Sequence, residues 1–188
     1  DAVTPVDGGT GSGGFDVLPG RSGSGALAEM SSEEVARLAA GLSALALQYD
    51  QVILDLGAGI ESNCMRLARA ADKVVMIITD EPTSMTDAYA FIKVLKGYAP
   101  NVEQVIAINQ CETRAAGQRT YEAVSRACQT FLGFRPHLAG TIMRDEAVRE
   151  AIRSQRTLIS TDPSSQPIQD AIAIAHTLLG RTGQEMHY

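Results

Sequence analysis

The stretch Tyr49 to Ile60, YDQVILDLGAGI, constrains the fold more than any other part of the chain. Val52-Ile53-Leu54 is an apolar run ended by an acid, Asp55, and followed at once by Gly57-Ala58-Gly59. A run this short and this hydrophobic predicts a fully buried strand of a parallel sheet. Ligands of such sheets sit at the carboxyl ends of the strands, so Asp55 is expected at a ligand-facing edge with a flexible loop behind it.

The rest of the chain repeats that pattern. Lys73–Thr79 (KVVMIIT), Val105–Asn109 (VIAIN) and Leu138–Ile142 read as further buried strands, and Phe15–Leu18 as a short one closed by Pro19-Gly20. Helices are expected between them. Ser31 and Glu34 are spaced as a capping box ahead of the stripe Val35, Leu38, Ala39, Leu42 and Leu45. A short helix is expected over 61–70. Asp80-Glu81-Pro82 stops a strand, and Pro82 suits a helix entry. Ala88, Phe91, Ile92 and Leu95 then line one helical face, and Tyr121, Val124, Cys128 and Phe131 another. Two more helices are expected over 145–153 and 165–179. Strands alternating with helices predict an α/β fold: a mainly parallel sheet with helices on both faces and right-handed crossovers. At 188 residues there is chain enough for one well-buried core. Residues 1–14 (DAVTPVDGGTGSGG) read as a flexible lead-in, 15–180 as the domain, and 181–188 (RTGQEMHY) as a tail.

Composition removes several functions. A net charge of -6, with only three lysines, does not supply the clustered cations of a nucleic-acid surface. Cys64, Cys111 and Cys128 are odd in number and scattered, which predicts buried thiols in a reducing compartment, not a disulfide framework or a zinc site. His137, His176 and His187 show no metal-ligand spacing. No apolar run approaches the length of a membrane span. The Gly20–Gly25 cluster contains no lysine, and no G-x-x-x-x-G-K-[ST] phosphate loop occurs in the 188 residues.

Four strand-end positions carry the candidate chemistry. Asp55 can hold Mg2+ directly or through water, or can cap a loop. Gly57 and Gly59 can bring backbone N–H groups to an anion, or simply make a tight turn. Asn109 can read a heterocyclic base through its paired donor and acceptor, or form a turn. Arg144-Asp145 can line the same crevice or cap the following helix.

The runs YDQVILDLGAGI, AADKVVMIITDEPTSMTDAYAFIK and VIAINQ together resemble the MinD/ParA class of P-loop ATPases, and within it the flagellar-number regulator (FlhG/FleN) branch. The resemblance spans about Phe15 to Leu179. It implies a MinD-like fold with Asp55 at the end of the Walker B strand, holding Mg2+ through water. It implies that Gly57-Ala58-Gly59 is switch II, the sensor of the γ-phosphate of ATP. It also implies that Asn109 contacts adenine and that the Met143–Glu146 segment, with Arg144 and Asp145, lies beside the base. The first strand, the lysine-bearing phosphate loop and the switch I acid are expected before residue 1, which makes these residues the C-terminal two-thirds of a domain.

The resemblance further implies a homodimer formed around two ATP molecules and a cytoplasmic protein, peripheral on the inner face of the membrane. Its implied partners are a polar signal-recognition-type GTPase and flagellar switch or regulatory proteins. The tail lacks the basic–apolar alternation of a membrane-surface helix. Several functions compete: an ATPase switch whose present residues do not hydrolyse ATP, serving flagella or, as in related branches, cell division, plasmid partition or pilus placement; a nucleotide-independent interaction module; and a dinucleotide oxidoreductase. The Gly20 cluster does not fit the G-x-G-x-x-G spacing of the last. An unpaired sheet edge is expected to drive self-association.

Overall fold

The computed structural model describes residues 3–6, 14–20, 26–57 and 59–180. Most of the lead-in, residues 21–25 of the glycine cluster, Ala58 and the tail 181–188 lie outside the described residues.

Thr4–Val6 (β1) and Phe15–Val17 (β2) pair antiparallel, Thr4 opposite Val17 and Val6 opposite Phe15. A strand at 4–6 is not anticipated by the glycine content of residues 1–14. Tyr49 ties β2 to a segment more than thirty residues away: its hydroxyl donates to Asp16 Oδ2 at 2.6 Å. The short α1 (Ala26–Glu29) precedes α2 (Ser32–Ala46). The capping box of α2 forms as expected: Ser31 Oγ accepts the Glu34 N–H at 3.3 Å, and Glu34 Oε2 accepts the Ser31 N–H at 2.8 Å.

After α3 (Ser62–Arg69) the chain enters the sheet. β3 (Lys73–Ile78), β4 (Glu103–Cys111) and β5 (His137–Met143) are parallel in that order, joined by α4 (Pro82–Tyr98) and α5 (Arg114–Leu132). Pro82 stands in the first turn of α4, where its missing N–H costs nothing. α6 (Glu146–Arg153), the short α7 (Leu158–Thr161) and α8 (Gln166–Leu178) complete the fold.

Strand alternation sorts the core. Met76, Ile78, Ile106 and Ile108 face Ala88 and Ile92 of α4 and Val124 and Cys128 of α5. Val105, Ala107 and Ala139 face Ile174 of α8 on the other side. α3 extends the first layer by packing Met65 and Ala68 against Leu95 and Ala99. The α/β architecture with helices on both faces is therefore present. Lys73 fixes the far end of α8: its Nζ donates to Leu178 O at 2.8 Å and pairs with Glu103 at 3.2 Å.

The strand expected at Val52–Leu54 is absent. The segment is irregular, and Ile53 is 94% exposed. Side-chain chemistry suits it to a buried strand, but a strand also needs a neighbouring backbone to satisfy its N–H and C=O groups. Among the described residues β3 is paired on one side only, with β4, and Val52–Leu54 joins no sheet. Leu56 does reach the core, against the Met65–Leu95 cluster.

Two glycines on helices test the packing with opposite signs. A Cβ on Gly117 would meet Cys111 Sγ and Thr141 Cγ2 at 2.7 Å, whereas one on Gly41 meets nothing within 4 Å. In urea unfolding, Gly117→Ala should lose about 1–3 kcal/mol from overpacking. Gly41→Ala should gain about 0.5–1 kcal/mol from helix propensity. The open edge of β3, where Ile77 is exposed, should make the chain associate as its concentration rises in sedimentation velocity. Ile77→Lys should weaken that association, and a monomer at all concentrations would refute it.

Candidate functional site at the strand ends

Because β3, β4 and β5 are parallel, their carboxyl ends share one edge of the sheet: Ile78 lies opposite Ile108, and Cys111 opposite Met143. Thr79-Asp80, Asn109–Glu112 and Met143–Asp145 therefore emerge together. This is the edge at which ligands of open α/β sheets bind.

The end of β4 is not regular. The ladder with β5 shifts between Ile108 and Cys111, and Gln110 adopts a left-handed backbone with φ 58. An extra residue in one strand is a bulge, which bends the strand and re-aims its side chains. Here it returns Cys111 to the same core face as Ile106 and Ile108. It leaves Asn109 half-buried and Gln110 exposed at the sheet edge. Asn109 Oδ1 accepts the Gln110 N–H at 2.8 Å, which fixes the amide close to the backbone. Its NH2 and the second lone pair of Oδ1 remain for a ligand.

Arg144 joins the two strand ends. Its N–H donates to Cys111 O at 2.9 Å and its Nη1 to Glu112 Oε1 at 2.6 Å. Asp145 caps α6, with Oδ1 accepting the Ala147 N–H at 2.8 Å, so the capping alternative holds for this residue. Asp145 Oδ2 is left as an acceptor.

Three residues of this edge escape a reading of the sequence: Arg114, Thr141 and Asp170. Asp170, on α8, is 4% exposed. Its carboxylate accepts from Arg114, from Gln166 Nε2 at 2.9 Å and from the Met143 N–H at 2.8 Å. Arg114 reaches Thr141 with its other amino group, donating to Thr141 Oγ1 at 2.9 Å and to Thr141 O. Burial on its own would raise the Asp170 carboxyl. The Arg114 guanidinium, the Met143 N–H and the Gln166 amide outweigh it and hold the group below its ordinary value of 3.8. The sequence did carry one signal: Pro167, Asp170 and Ile174 form the buried stripe of α8, so an acid occupies a core position.

Asp55, Gly57 and Gly59 stand apart, on the irregular connection between α2 and α3. Asp55 is exposed. Gly59 has φ 134, a conformation that favours glycine. Gly57 O accepts from Cys64 Sγ at 3.8 Å. Among the described residues, no hydrogen bond or ion pair joins this segment to Asn109, Arg144 or Asp145. A lone exposed carboxylate fits a water-mediated hold on Mg2+, which takes one or two carboxylates and keeps several waters. No group of three or more His, Cys, Asp or Glu could cage a metal among the described residues. Asp80 and Glu81 lead into α4, with Glu81 at its N-cap position. The thiols are all buried and free, and burial pushes Cys128 up to about 11, far from reactive.

With that geometry in hand, the chain can be set beside known proteins. The family model described as cellulose biosynthesis protein BcsQ matches residues 13–179. Antiactivator FleN of Pseudomonas aeruginosa is 30% identical over 156 residues, covering 83% of this chain and 56% of FleN. Flagellum site-determining protein YlxH of Helicobacter pylori is 26% identical over 170 residues, covering 89% of this chain and 57% of YlxH. The chain thus spans a little over half the length of these curated relatives. The crystal structure of a ParA family ATPase from Chlorobium tepidum TLS shares the fold, with TM-score 0.66 and 20% identity over 89% of this chain and 64% of that one. Among the described residues, no helix is long and apolar enough to cross a membrane.

The depressed carboxyl of Asp170 gives a stability component that is fully present above its unfolded value and is lost as pH falls through its folded one. Asp170→Asn should therefore unfold more easily than the natural chain at neutral pH. The gap between the two should narrow as pH drops below 3.8, read from thermal unfolding across that range.

Proposed function

The chain belongs to the family of the cellulose biosynthesis protein BcsQ, in the MinD/ParA class of P-loop ATPases, and from that membership we propose that it forms the base-binding and switch part of an ATP-dependent molecular switch that governs the number or placement of flagella. The observation that carries this reading is the shared end of β4 and β5. There a bulge, the Asn109 amide, held through Oδ1 with its NH2 open, and Arg144-Asp145 stand at the edge where ligands of open α/β sheets bind. Flagellar control is supported by the flagellum site-determining protein YlxH, a relative with which the chain aligns over most of its length.

In this proposal adenine lies against Asn109. The Asn109 NH2 donates to a ring nitrogen while Oδ1 accepts from the exocyclic amine, the pairing an amide offers to adenine. Arg144 and Asp145 border the base from β5. Asp55 holds Mg2+ through water, and Gly57 and Gly59 present backbone N–H groups to the terminal phosphate. The metal, when bound, neutralises charge on the transferred phosphoryl group. Dimerisation around ATP, attachment to the inner face of the membrane, and engagement of a polar signal-recognition-type GTPase and flagellar switch or regulatory proteins complete the proposed cycle.

A second reading is favoured by one observation, the exposed, irregular Val52–Asp55 stretch. It is a nucleotide-independent interaction module. Calorimetry that finds partner binding indifferent to ATP and ADP would favour it.

Mg-ATP titrated into the isotope-labelled chain should shift the Asn109 side-chain amide and the Arg144 and Asp145 backbone signals. Asn109→Ala should weaken binding roughly fivefold, the effect of a neutral hydrogen bond of about 1 kcal/mol. No ATP turnover above background is expected of the 188-residue chain, because phosphate-loop contacts supply much of the catalysis in this class. Turnover that disappears in Asp55→Ala would overturn that expectation.

A further inference from the structure

We infer that Asp170 and its partner Arg114 are positioning residues for the nucleotide base, acting through the Met143–Asp145 turn and not by touching the ligand. The inference rests on the proposed base site. Among the described residues, β5 is an edge strand of the sheet. Its inner edge follows β4, up to the Arg144 N–H that donates to Cys111 O at 2.9 Å. Its outer edge would expose the alternate groups, Thr141 C=O and Met143 N–H, to water. Both are taken by the ion pair. Arg114 donates to Thr141 O, and Asp170 Oδ2 accepts the Met143 N–H at 2.8 Å. The two side chains thus stand in for a neighbouring strand over the last residues of β5.

The turn is pinned from both sides as a result. Met143 is held outward by Asp170 and Arg144 inward by Cys111. The direction in which Arg144 and Asp145 leave the sheet follows from those two bonds. α6 adds little restraint of its own, since Ala151 is its only buried residue. The pair is buried only at its Asp170 end and half-exposed at Arg114, and its several hydrogen bonds fix geometry. Asp170 is itself held from three directions, by Arg114 on α5, Gln166 on its own helix and Met143 on β5. The clamp therefore ties the position of α8 and the start of α5 to the base-side turn.

The test is titration of adenosine into the isotope-labelled chain, followed at single residues by NMR. The natural chain should show shifts at the Asn109 side chain and at the Arg144 and Asp145 amides. In Asp170→Asn the Asn109 shift should persist, the Arg144 and Asp145 shifts should collapse, and the Kd should rise roughly tenfold, as for a lost hydrogen bond to a charged group. Arg114→Gln, at a half-exposed position, should do the same and guards against misfolding of the first variant. Glu103→Gln, which breaks the ion pair with Lys73 at the opposite end of the sheet, should change neither. Unchanged Arg144 and Asp145 shifts in both clamp variants overturn the inference alone. So does a loss of all three shifts in step with lost fold, which is a structural role only. Absence of any shift in the natural chain overturns the base-site reading and the inference with it.

Discussion

Every part of the sheet layer takes its position from β4. It is hydrogen-bonded along both edges and buried on both faces. Ile106 and Ile108 point to one side and Val105 and Ala107 to the other, all of them sealed from water. Each buried isoleucine contributes about 1.5–3 kcal/mol through removal from water. That demand is met only by a helical layer on each face, which sets α4 and α5 against one and α8 against the other. The parallel direction of β3 and β5 follows from the same crossovers. It gathers three strand ends at one edge, and the candidate site depends on that gathering.

Regular pairing would have sent the polar residues at that edge into fixed alternation with the core. Two bulges prevent it. At the start of β5 the register shifts between Ile106 and Ala107, and Ala139 and Gly140 both come to the α8 side. A Cβ on Gly140 would meet Ile174 Cγ1 at 2.7 Å, so the close approach of α8 requires glycine there. At the end of β4 the second bulge turns Asn109 to the edge while Cys111 returns to the core. Gln110 takes the left-handed conformation that makes this possible, at a cost of roughly 1–2 kcal/mol for a residue with a Cβ. Strain of this kind persists where surrounding structure enforces it. The enforcement is visible in the Arg144–Cys111 bond, the Arg144–Glu112 pair and the Asn109 amide closing on Gln110.

The features legible in the sequence are those that depend on neighbours along the chain. The Ser31–Glu34 capping box, Pro82 at a helix entry and the buried thiols follow from local chemistry and composition. The VIAIN run is a strand because its apolar density suits burial on two faces, and that requirement was met. Asp145 resolved to a helix cap because its next residues are helical, a local matter again. Gln110, Gly140 and Asp170 were not legible. Nothing beside Gln110 or Gly140 marks a bulge or a close approach, and Asp170 shows in the sequence only as an acid on the buried stripe of α8; Gly140 owes its role to Ile174 and Asp170 to Arg114, both far away in sequence. Val52–Leu54 failed for the converse reason. Its composition suits a strand well, but composition cannot report whether a partner backbone stands beside it.

That failure separates the two halves of the candidate site. The proposed base side is organised in advance: its turn is bonded inward to β4 and outward to Asp170, and its amide is locked on a bulge. The phosphate side is not. Val52, Ile53 and Leu54 are exposed, as is Ile77 on the outermost strand, and both stretches carry backbone groups without a strand partner among the described residues. Apolar surface and unpaired backbone are each unfavourable in water, and one extended partner along β3 would relieve both at once. The order of Asp55 is therefore coupled to pairing at the edge of β3, not to any contact Asp55 makes. A carboxylate on an irregular, exposed segment can hold a metal through water in many geometries and is fixed in no single one. The same carboxylate at the end of a paired strand is fixed to within the tolerance of the sheet. The proposed metal role thus depends on backbone hydrogen bonds at Val52 to Leu54, whereas the proposed base role already has the bonds it needs.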